Sequence, residues 1–432
     1  MSNPRTLPLM HRYGRALRLS LILALWLLAT LSALAQPLTQ ASKEEILKGM
    51  QDYLTQRAYV PGVDFEKWPA FLDKHRDGIE KATDVATFST ELNRTLREFG
   101  FSHIRLLTPR AATARSTTST VGIGVTTRKV DKGLEIVSLA DDGPAQGAGL
   151  DVGDTIIEIE GRFPDSTDVL SNQDGNRLDV MIAKKSGEIE YISLERREYT
   201  TVHPASLTWP NPDTAVLRIP TFATGYSMIQ VEKLLTEAAK AKYLVLDLRS
   251  NGGGAVTNMR HLLNLLLPDG AQIGTSVSRG MASRYATEAK GDPKDPVAIA
   301  RWAAAPMKAL KRAIPPFPGK IAVLINRGSA SASEITAAAL RENLKAPLIG
   351  TKSAGAVLVS IFAPLPEGFQ LQFPTSDYIT AQGMRLEGHP LIPDVEVAPS
   401  PRGQPDLTIT RAVAALLAPT PTTKPTEKSA GE

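Results

Sequence analysis

The chain has 432 residues, a formal net charge of +4 and no cysteine, and this length indicates two or three domains. The absence of cysteine excludes disulfides, thiolate metal sites, iron–sulfur clusters and a cysteine nucleophile. A composition of 42% hydrophobic and 22% charged residues excludes disorder of the whole chain. The positive charge raises the question of a nucleic-acid or acidic-membrane partner.

The N-terminus has the pattern of a secretory signal peptide. Residues 1–18 contain four arginines and no acidic residue, an apolar run follows from Leu19 to Leu31, and Ala33-Leu34-Ala35 forms a small-x-small site. The apolar run is shorter than the roughly 20 residues that cross a bilayer. We therefore predict a signal peptide at 1–35 and a periplasmic or secreted protein with no membrane span after cleavage. The alternative is an uncleaved anchor.

The net charge lies entirely in this segment. Removing its four arginines from the 49 basic residues leaves 45, equal to the 45 acidic residues of the chain. The charge therefore gives no reason to expect a nucleic-acid partner.

Residues 36–115 are predicted to form an N-terminal helical domain. Apolar residues recur at helical spacing from Ile46 to Leu54 and from Phe88 to Phe99. Gly100 follows the second run, as is typical of a helix C-terminus. The small and polar stretch Ala111–Thr120 predicts a linker.

Residues 118–200 contain short β-type runs, at Val121–Val125, Leu134–Leu139, Thr155–Ile159 and Tyr191–Leu194. A small-residue helix, a Gly-Asp turn and an apolar strand lie among them, and the order resembles a bacterial PDZ domain. In that resemblance the peptide-binding loop, which offers backbone N–H groups to a terminal carboxylate, consists of Gly122, Ile123, Gly124 and Val125. The alternative is a small β domain with an ordinary glycine turn.

Residues 205–417 alternate apolar strands with helices, which predicts an α/β layer with parallel strands. The buried strands are expected at Ala215–Ile219, Tyr243–Leu248 and Ile321–Ile325. Residues 275–318 lack a clean pattern and are predicted to be a surface insertion or lid. The Pro- and Thr-rich tail at 418–432 is predicted to be disordered.

Two segments directly after buried strands could carry chemistry. Ser331 lies in a run of small residues that opens a helix, where free N–H groups stabilise a developing oxyanion. The alternative is a capping box with Glu334. Gly252–Gly254 would let backbone N–H groups face a cavity, although a simple turn is also possible. The run lacks the Gly-Lys-Ser/Thr ending of a phosphate loop.

Together these motifs resemble the C-terminal processing, or tail-specific, serine proteases. The segments are Asp247–Gly254, Gly328–Glu334, Ile349–Gly355 and Ile392–Val397, preceded by the PDZ-like region. The resemblance implies a crotonase-like or ClpP-like layered α/β core and no cofactor or metal. It also implies that Ser331 is the nucleophile and that the oxyanion hole consists of the N–H groups of Ala332 and of Gly252 or Gly253.

The chain departs from the best-known branch of that family at the general base. The branch uses a lysine in a Phe-Gly-Lys-Gly motif, and Ala356 stands at that position, four residues after Lys352. The run Gly100–His103 instead resembles the base-supplying segment of the tricorn core protease. That resemblance implies His103 as base, supported by Ser102 and Glu387. His389 is the rival base, whereas His261 is predicted to be a helix-surface residue.

The leading hypothesis is an exported serine endopeptidase whose PDZ domain binds the C-terminal or apolar tail of a protein or peptide substrate. One alternative is a non-catalytic peptide-binding or scaffolding protein that has lost the Ser–Lys dyad. A ligand carrier, like the retinoid-binding relatives of this fold, is a third hypothesis. The sequence leaves the oligomeric state open.

Overall fold

The computed structural model describes residues 38–140, 143–164, 170, 176–200, 203–400 and 404–418. The predicted signal peptide and nearly all of the predicted disordered tail lie outside these ranges. None of the helices in the described part has the length and apolar character needed to cross a membrane.

The N-terminal region is helical, as predicted. It contains α1 (Gln40–Gln56), α2 (Trp68–Lys81) and α3 (Val85–Leu96). The side chain of Asp84 caps α3 by accepting a hydrogen bond from the N–H of Thr87 at 2.8 Å. Gly100, at φ 74°, follows a short 3₁₀ turn rather than α3 itself.

The predicted linker at Ala111–Thr120 is wrong. After β1 (Arg105–Leu107) the chain forms α4 (Pro109–Ser116). Thr108 caps this helix by accepting from the N–H of Ala111 at 3.3 Å, and a proline at the first helical position fixes a helical φ. These start signals outweigh the small and polar composition.

The middle region is a β structure. Its elements are β2 (Ser119–Gly122), β3 (Val125–Val130), β4 (Gly133–Leu139), α5 (Pro144–Gly147), β5 (Thr155–Ile159), β6 (Arg177–Ala183), β7 (Ile189–Glu195) and β8 (Arg197–Thr200). Five strands form an antiparallel sheet in the order β3-β4-β5-β6-β7, and β2 pairs with β8. β3 is therefore an edge strand. That this region is a PDZ domain stays a prediction.

The remaining elements form the α/β part of the protein. They are β9 (Ser206–Asn211), β10 (Thr214–Arg218), α6 (Met228–Ala238), β11 (Tyr243–Asp247), α7 (Val256–Leu266), β12 (Gln272–Ser278), α8 (Arg279–Glu288), α9 (Pro296–Ala303), β13 (Met307–Lys308), β14 (Lys320–Ile325), α10 (Ala332–Leu344), β15 (Leu348–Gly350), β16 (Val359–Pro364), β17 (Gln370–Thr380), β18 (Val395–Glu396) and α11 (Leu407–Leu417).

Six of these strands form a sheet in the order β18-β15-β14-β11-β10-β9, parallel except at β9. Successive side chains of a strand point to opposite faces. Leu244 and Leu246 of β11 pack with α6, α7 and α10, whereas Val245 packs with α11 on the other face. Both faces are covered, which explains the continuous apolar runs of the sequence. The predicted α/β fold is confirmed.

A second, antiparallel sheet has the order β1-β17-β12-β13, with β16 also paired to β17. Residues 275–278 are the second half of β12, so this part of the predicted surface insertion is a sheet strand. Val277 is fully buried against Ile299 of α9 and Ile379 of β17.

The N-terminal helices share a hydrophobic core with this second sheet. Ile46 and Leu92 are buried in the same cluster as Phe369 and Phe373. In addition, residues 105–107 of β1 pair antiparallel with residues 370–372 of β17. This pairing fixes the segment just before β1, which contains His103, against the α/β part of the chain.

Candidate active site

Ser331 lies at the turn between β14 and α10, with φ 55° and ψ −119°. Such a φ is uncommon for a residue other than glycine and is strained. Its N–H holds the turn in place by donating to the carbonyl of Ala356 at 2.8 Å and to the carboxylate of Glu334 at 3.2 Å. The side chain of Ser331 lines a cavity of about 800 Å³.

The glycine segment 252–254 packs directly against Ser331. A Cβ atom at Gly253, whose φ is 93°, would lie 2.7 Å from Cβ of Ser331, so only glycine fits there. The N–H of Gly253 donates to the buried side chain of Asn251 at 2.9 Å. No described residue accepts from the N–H groups of Gly252 and Ala332, and both residues line the cavity. These two groups are therefore available to a bound oxyanion.

His103 lines the same cavity, and its ring is held by Ser102. Oγ of Ser102 lies 2.6 Å from Nδ1 of His103 and 2.8 Å from Oε2 of Glu387. The backbone N–H of Ser102 donates to Oε1 of Glu387 at 2.8 Å. The structure thus brings Ser102, His103 and Glu387 together, although 285 residues separate Ser102 from Glu387.

This arrangement fixes the tautomer of His103. An ionised Glu387 can only accept, so the single hydroxyl proton of Ser102 goes to Glu387. Oγ of Ser102 then accepts from Nδ1–H of His103, which leaves Nε2 without a proton. Burial lowers the pKa of His103, the carboxylate of Glu387 opposes this, and the guanidinium of Arg105 lowers the pKa further. A neutral imidazole with a free Nε2 can act as a base.

Glu387 also connects His103 with the Ser331 turn. Its Oε2 accepts from the N–H of Val357 at 2.8 Å, and the preceding carbonyl, of Ala356, accepts from the N–H of Ser331. No hydrogen bond joins His103 to Ser331 directly among the described contacts. In catalytic sites without a bound substrate such a bond is often long and tightens on binding.

The other candidate bases lie elsewhere. His389 is exposed and its Nδ1 lies 2.9 Å from the carbonyl oxygen of Glu387. Lys352 is also exposed, and neither residue lines the Ser331 cavity. The prediction that His261 is a helix-surface residue is wrong, since it is only 4% exposed. Its ring nitrogens lie 2.9 Å from the hydroxyl of Tyr226 and 3.0 Å from Glu232, which satisfies a buried imidazole.

Glu334 makes more contacts than the predicted capping box with Ser331 requires. It is fully buried, and its carboxylate accepts from Oγ of Ser353 at 2.5 Å and from the N–H groups of Gly355 and Ala356 at 2.8 and 3.0 Å. Burial raises the pKa of Glu334, and these hydrogen bonds oppose the rise. The Ser-x-x-Glu spacing was a visible signal, but it indicated only the contact with Ser331.

Residues 122–125 line a second cavity, of about 500 Å³. The carbonyls of Ile123 and Gly124 accept from the N–H groups of Ala145 and Ala140, each at 2.8 Å. Gly124 has φ 76°, and a Cβ atom there would lie 3.0 Å from Cα of Gly143. Hydrogen bonds to the carbonyls of Ile123 and Gly124 thus hold the loop in place.

No group of three or more His, Asp or Glu side chains in the described ranges is placed to hold a metal ion. An enzyme without metal or cofactor stays a prediction.

Part of the chain is similar in sequence to known peptidases. The model of peptidase family S41 matches residues 213–397. The chain is 26% identical over 293 residues to a probable CtpA-like serine protease of Staphylococcus haemolyticus, covering 66% of this chain and 54% of that protein. It is 30% identical over 297 residues to the tail-specific protease of Haemophilus influenzae, covering 64% of this chain and 39% of that protein. The chain thus spans 54% and 39% of the lengths of these two relatives.

Solved structures that share the fold include two with a TM-score of 0.54. The photosystem II D1 C-terminal processing protease has a TM-score of 0.54 and 20% identity, over 83% of this chain and 93% of that one. Mature CPAF complexed with lactacystin has a TM-score of 0.54 and 12% identity, over 83% and 94%. Together with the family match, these likenesses lead to one conclusion. Residues 213–397 of the chain are similar to peptidase family S41.

Proposed function

We propose that this chain is an exported serine endopeptidase in which Ser331 is the nucleophile and His103 the general base. The observation that carries the proposal is the Ser102–His103–Glu387 cluster at the cavity of Ser331. The hydrogen bonds of this cluster leave Nε2 of His103 free to accept a proton. The family match supports a serine peptidase.

The proposed reaction has two halves. Nε2 of His103 takes the hydroxyl proton of Ser331 while Oγ bonds to the substrate carbonyl carbon, and the N–H groups of Gly252 and Ala332 stabilise the oxyanion. The C–N bond then breaks as His103 gives the proton to the leaving amine. A water molecule then attacks the acyl carbon while His103 takes its proton. The bond from that carbon to Oγ of Ser331 breaks, and His103 returns the proton to Oγ, which releases the acid and regenerates Ser331.

In the same proposal, the loop 122–125 binds the C-terminal carboxylate of a substrate. The edge strand β3 would pair with the peptide, which adds main-chain hydrogen bonds. Export, through the predicted signal peptide, brings the enzyme to protein substrates outside the cytoplasm.

Cleavage of casein by single variants tests the catalytic assignment. Ser331→Ala is expected to abolish cleavage and His103→Ala to lower kcat by roughly 10²–10⁴-fold, the usual share of a general base. Lys352→Ala is the matched control for a nearby exposed cation and is expected to keep full activity. Full activity in His103→Ala would refute the base, and loss in Lys352→Ala alone would restore a Ser–Lys scheme.

The alternative function is a peptide-binding protein without catalysis. The observation behind it is Ala356, which stands where the Ser–Lys branch has its base and offers only its carbonyl to Ser331. Peptide binding by the purified chain with no cleavage of casein at any pH would favour this alternative.

A further inference from the structure

Two arginines stand between the two cavities. Arg105 lies on β1 and Arg115 near the end of α4. Both line the cavity of Ser331, and both also line the cavity of the loop 122–125. A peptide chain that extends from that loop to Ser331 therefore passes these side chains.

No residue in the described ranges neutralises the positive charge of this pair. Neither arginine forms an ion pair with a described residue, and none of the described residues lining either cavity is acidic. Burial lowers the pKa of both guanidiniums, and repulsion by Arg115 lowers the pKa of Arg105 further. Both side chains are nevertheless exposed, so a ligand can reach them. Two close cations without a counter-charge favour binding of an anion.

Each guanidinium is held in place by one contact. Nε of Arg105 donates to Oε1 of Gln372 at 2.8 Å, and Gln372, itself only 7% exposed, donates to Oγ of Ser360 at 2.8 Å. The guanidinium of Arg115 lies over the ring of Phe362, 3.4 Å from its centroid. The terminal N–H groups of Arg105 and the edge of the stacked Arg115 remain available. This fork geometry suits a carboxylate, which it can bind with two parallel hydrogen bonds.

We propose that Arg105 and Arg115 form a carboxylate-binding subsite for the substrate peptide, between the loop 122–125 and Ser331. The inference rests on the proposed function in that the ligand is a peptide. The proposed function places the C-terminus of the peptide at the loop 122–125, so the carboxylate bound by the arginines is that of an Asp or Glu side chain near the scissile bond. The subsite thus selects substrates with an acidic side chain over neutral ones.

The test measures binding without cleavage, in the Ser331→Ala background. The probes are fluorescently labelled Ala/Ser-rich decapeptides with a central Glu or Gln, each made with a free or an amidated C-terminus. Fluorescence anisotropy is expected to show that a carboxylate tightens binding about tenfold, the effect of one charge-assisted hydrogen bond. An advantage of Glu over Gln, with either C-terminus, identifies a side-chain carboxylate at the arginines, whereas an advantage of the free acid over the amide reports binding of the C-terminus at the loop 122–125.

Arginine variants in the Ser331→Ala background show whether Arg105 and Arg115 bind the carboxylate. Arg105→Gln and Arg115→Gln are expected to remove the advantage of the carboxylate. Arg94→Gln, which removes an exposed arginine of α3 that lines neither cavity, should keep it. Equal Kd values for the Glu and Gln peptides, or an advantage of Glu unchanged in both cavity variants, would overturn the proposal. If Arg105→Gln or Arg115→Gln fails to fold, Arg115→Glu is tested in its place. This variant should bind a peptide with a central Lys more tightly than one with a central Glu.

The experiments can refute the endopeptidase function and the arginine subsite independently of each other. A chain that does not cleave casein but binds acidic peptides through Arg105 and Arg115 loses the proposed endopeptidase function and keeps the subsite. A chain that cleaves casein but binds acidic and neutral peptides equally keeps the endopeptidase function and loses the subsite.

Discussion

Glu387 is the residue on which the proposed site depends most. It accepts two hydrogen bonds from Ser102 and one from the N–H of Val357. It therefore sets the tautomer of His103 and at the same time fixes that residue relative to the segment that holds Ser331. Removing its charge should affect both the rate and its pH dependence.

Glu387→Gln is expected to lower kcat by roughly 10²–10⁴-fold, because the amide no longer enforces the productive tautomer. The carboxylate of Glu387 raises the pKa of His103, so its loss lowers that pKa. Activity falls where His103 becomes protonated, and the acid limb of kcat/KM should therefore move to lower pH. A pH–rate profile on a short peptide measures this. An acid limb that stays in place or moves to higher pH would contradict the role of Glu387.

Glu334 links three neighbouring elements into one unit: β14, α10 and the loop after β15. Its buried carboxylate ties residues 353–356 to the first turn of α10, and Ser331 lies between them. Ser331 can keep its strained φ because hydrogen bonds hold the backbone on both sides.

Glu334→Gln is expected to destabilise the protein by about 1–3 kcal/mol, since an amide group would face hydrogen-bond donors that only a carboxylate satisfies. Activity should fall as well, because the Ser331 turn loses its support. Urea unfolding, followed by circular dichroism, measures the change in stability. Glu237→Gln, on the exposed side of α6, is the control, and its change should stay within about 0.5 kcal/mol. Equal stability of both variants would rule out the bracing role.

The elements differ in how well the sequence predicts them. β11 and β14 follow from composition, because strands buried on both faces need continuous apolar runs. β12 has the sequence Gln-Ile-Gly-Thr-Ser-Val-Ser. Its small and polar residues do not predict a buried strand. The burial of His261 depends on partners from α6 and the preceding loop, which only the fold brings close.

In the whole molecule, the N-terminal region and the α/β part share one core. The antiparallel pairing of β1 with β17 carries His103 to Glu387. The sequence places these residues far apart, so their proximity followed only from the family resemblance. No sequence pattern predicted that Arg105 and Arg115 lie together without a described counter-charge, since any exposed arginine has the same local pattern.

The shared core predicts that stability and activity are coupled there. Leu92→Ala, in the cluster with Phe369 and Phe373, should cost about 2–5 kcal/mol and also lower activity near the melting temperature, because α3 supports the His103 segment. Leu178→Ala is an equally buried control in the separate core of the five-stranded sheet. It should lower thermal stability but leave the cleavage of a short peptide unchanged. Thermal melts and peptide assays on both variants check this, and equal loss of activity would argue against separate cores.

The central claim is that Ser331 is a nucleophile activated by His103. Labelling with a fluorescent phosphonate ester, followed by peptide mass spectrometry, tests it most directly. The account predicts a single adduct on Ser331 in the native chain and in Lys352→Ala, blocked by denaturation and nearly absent in His103→Ala. An adduct at another residue, or labelling of Ser331 at the native rate in His103→Ala, would contradict the account.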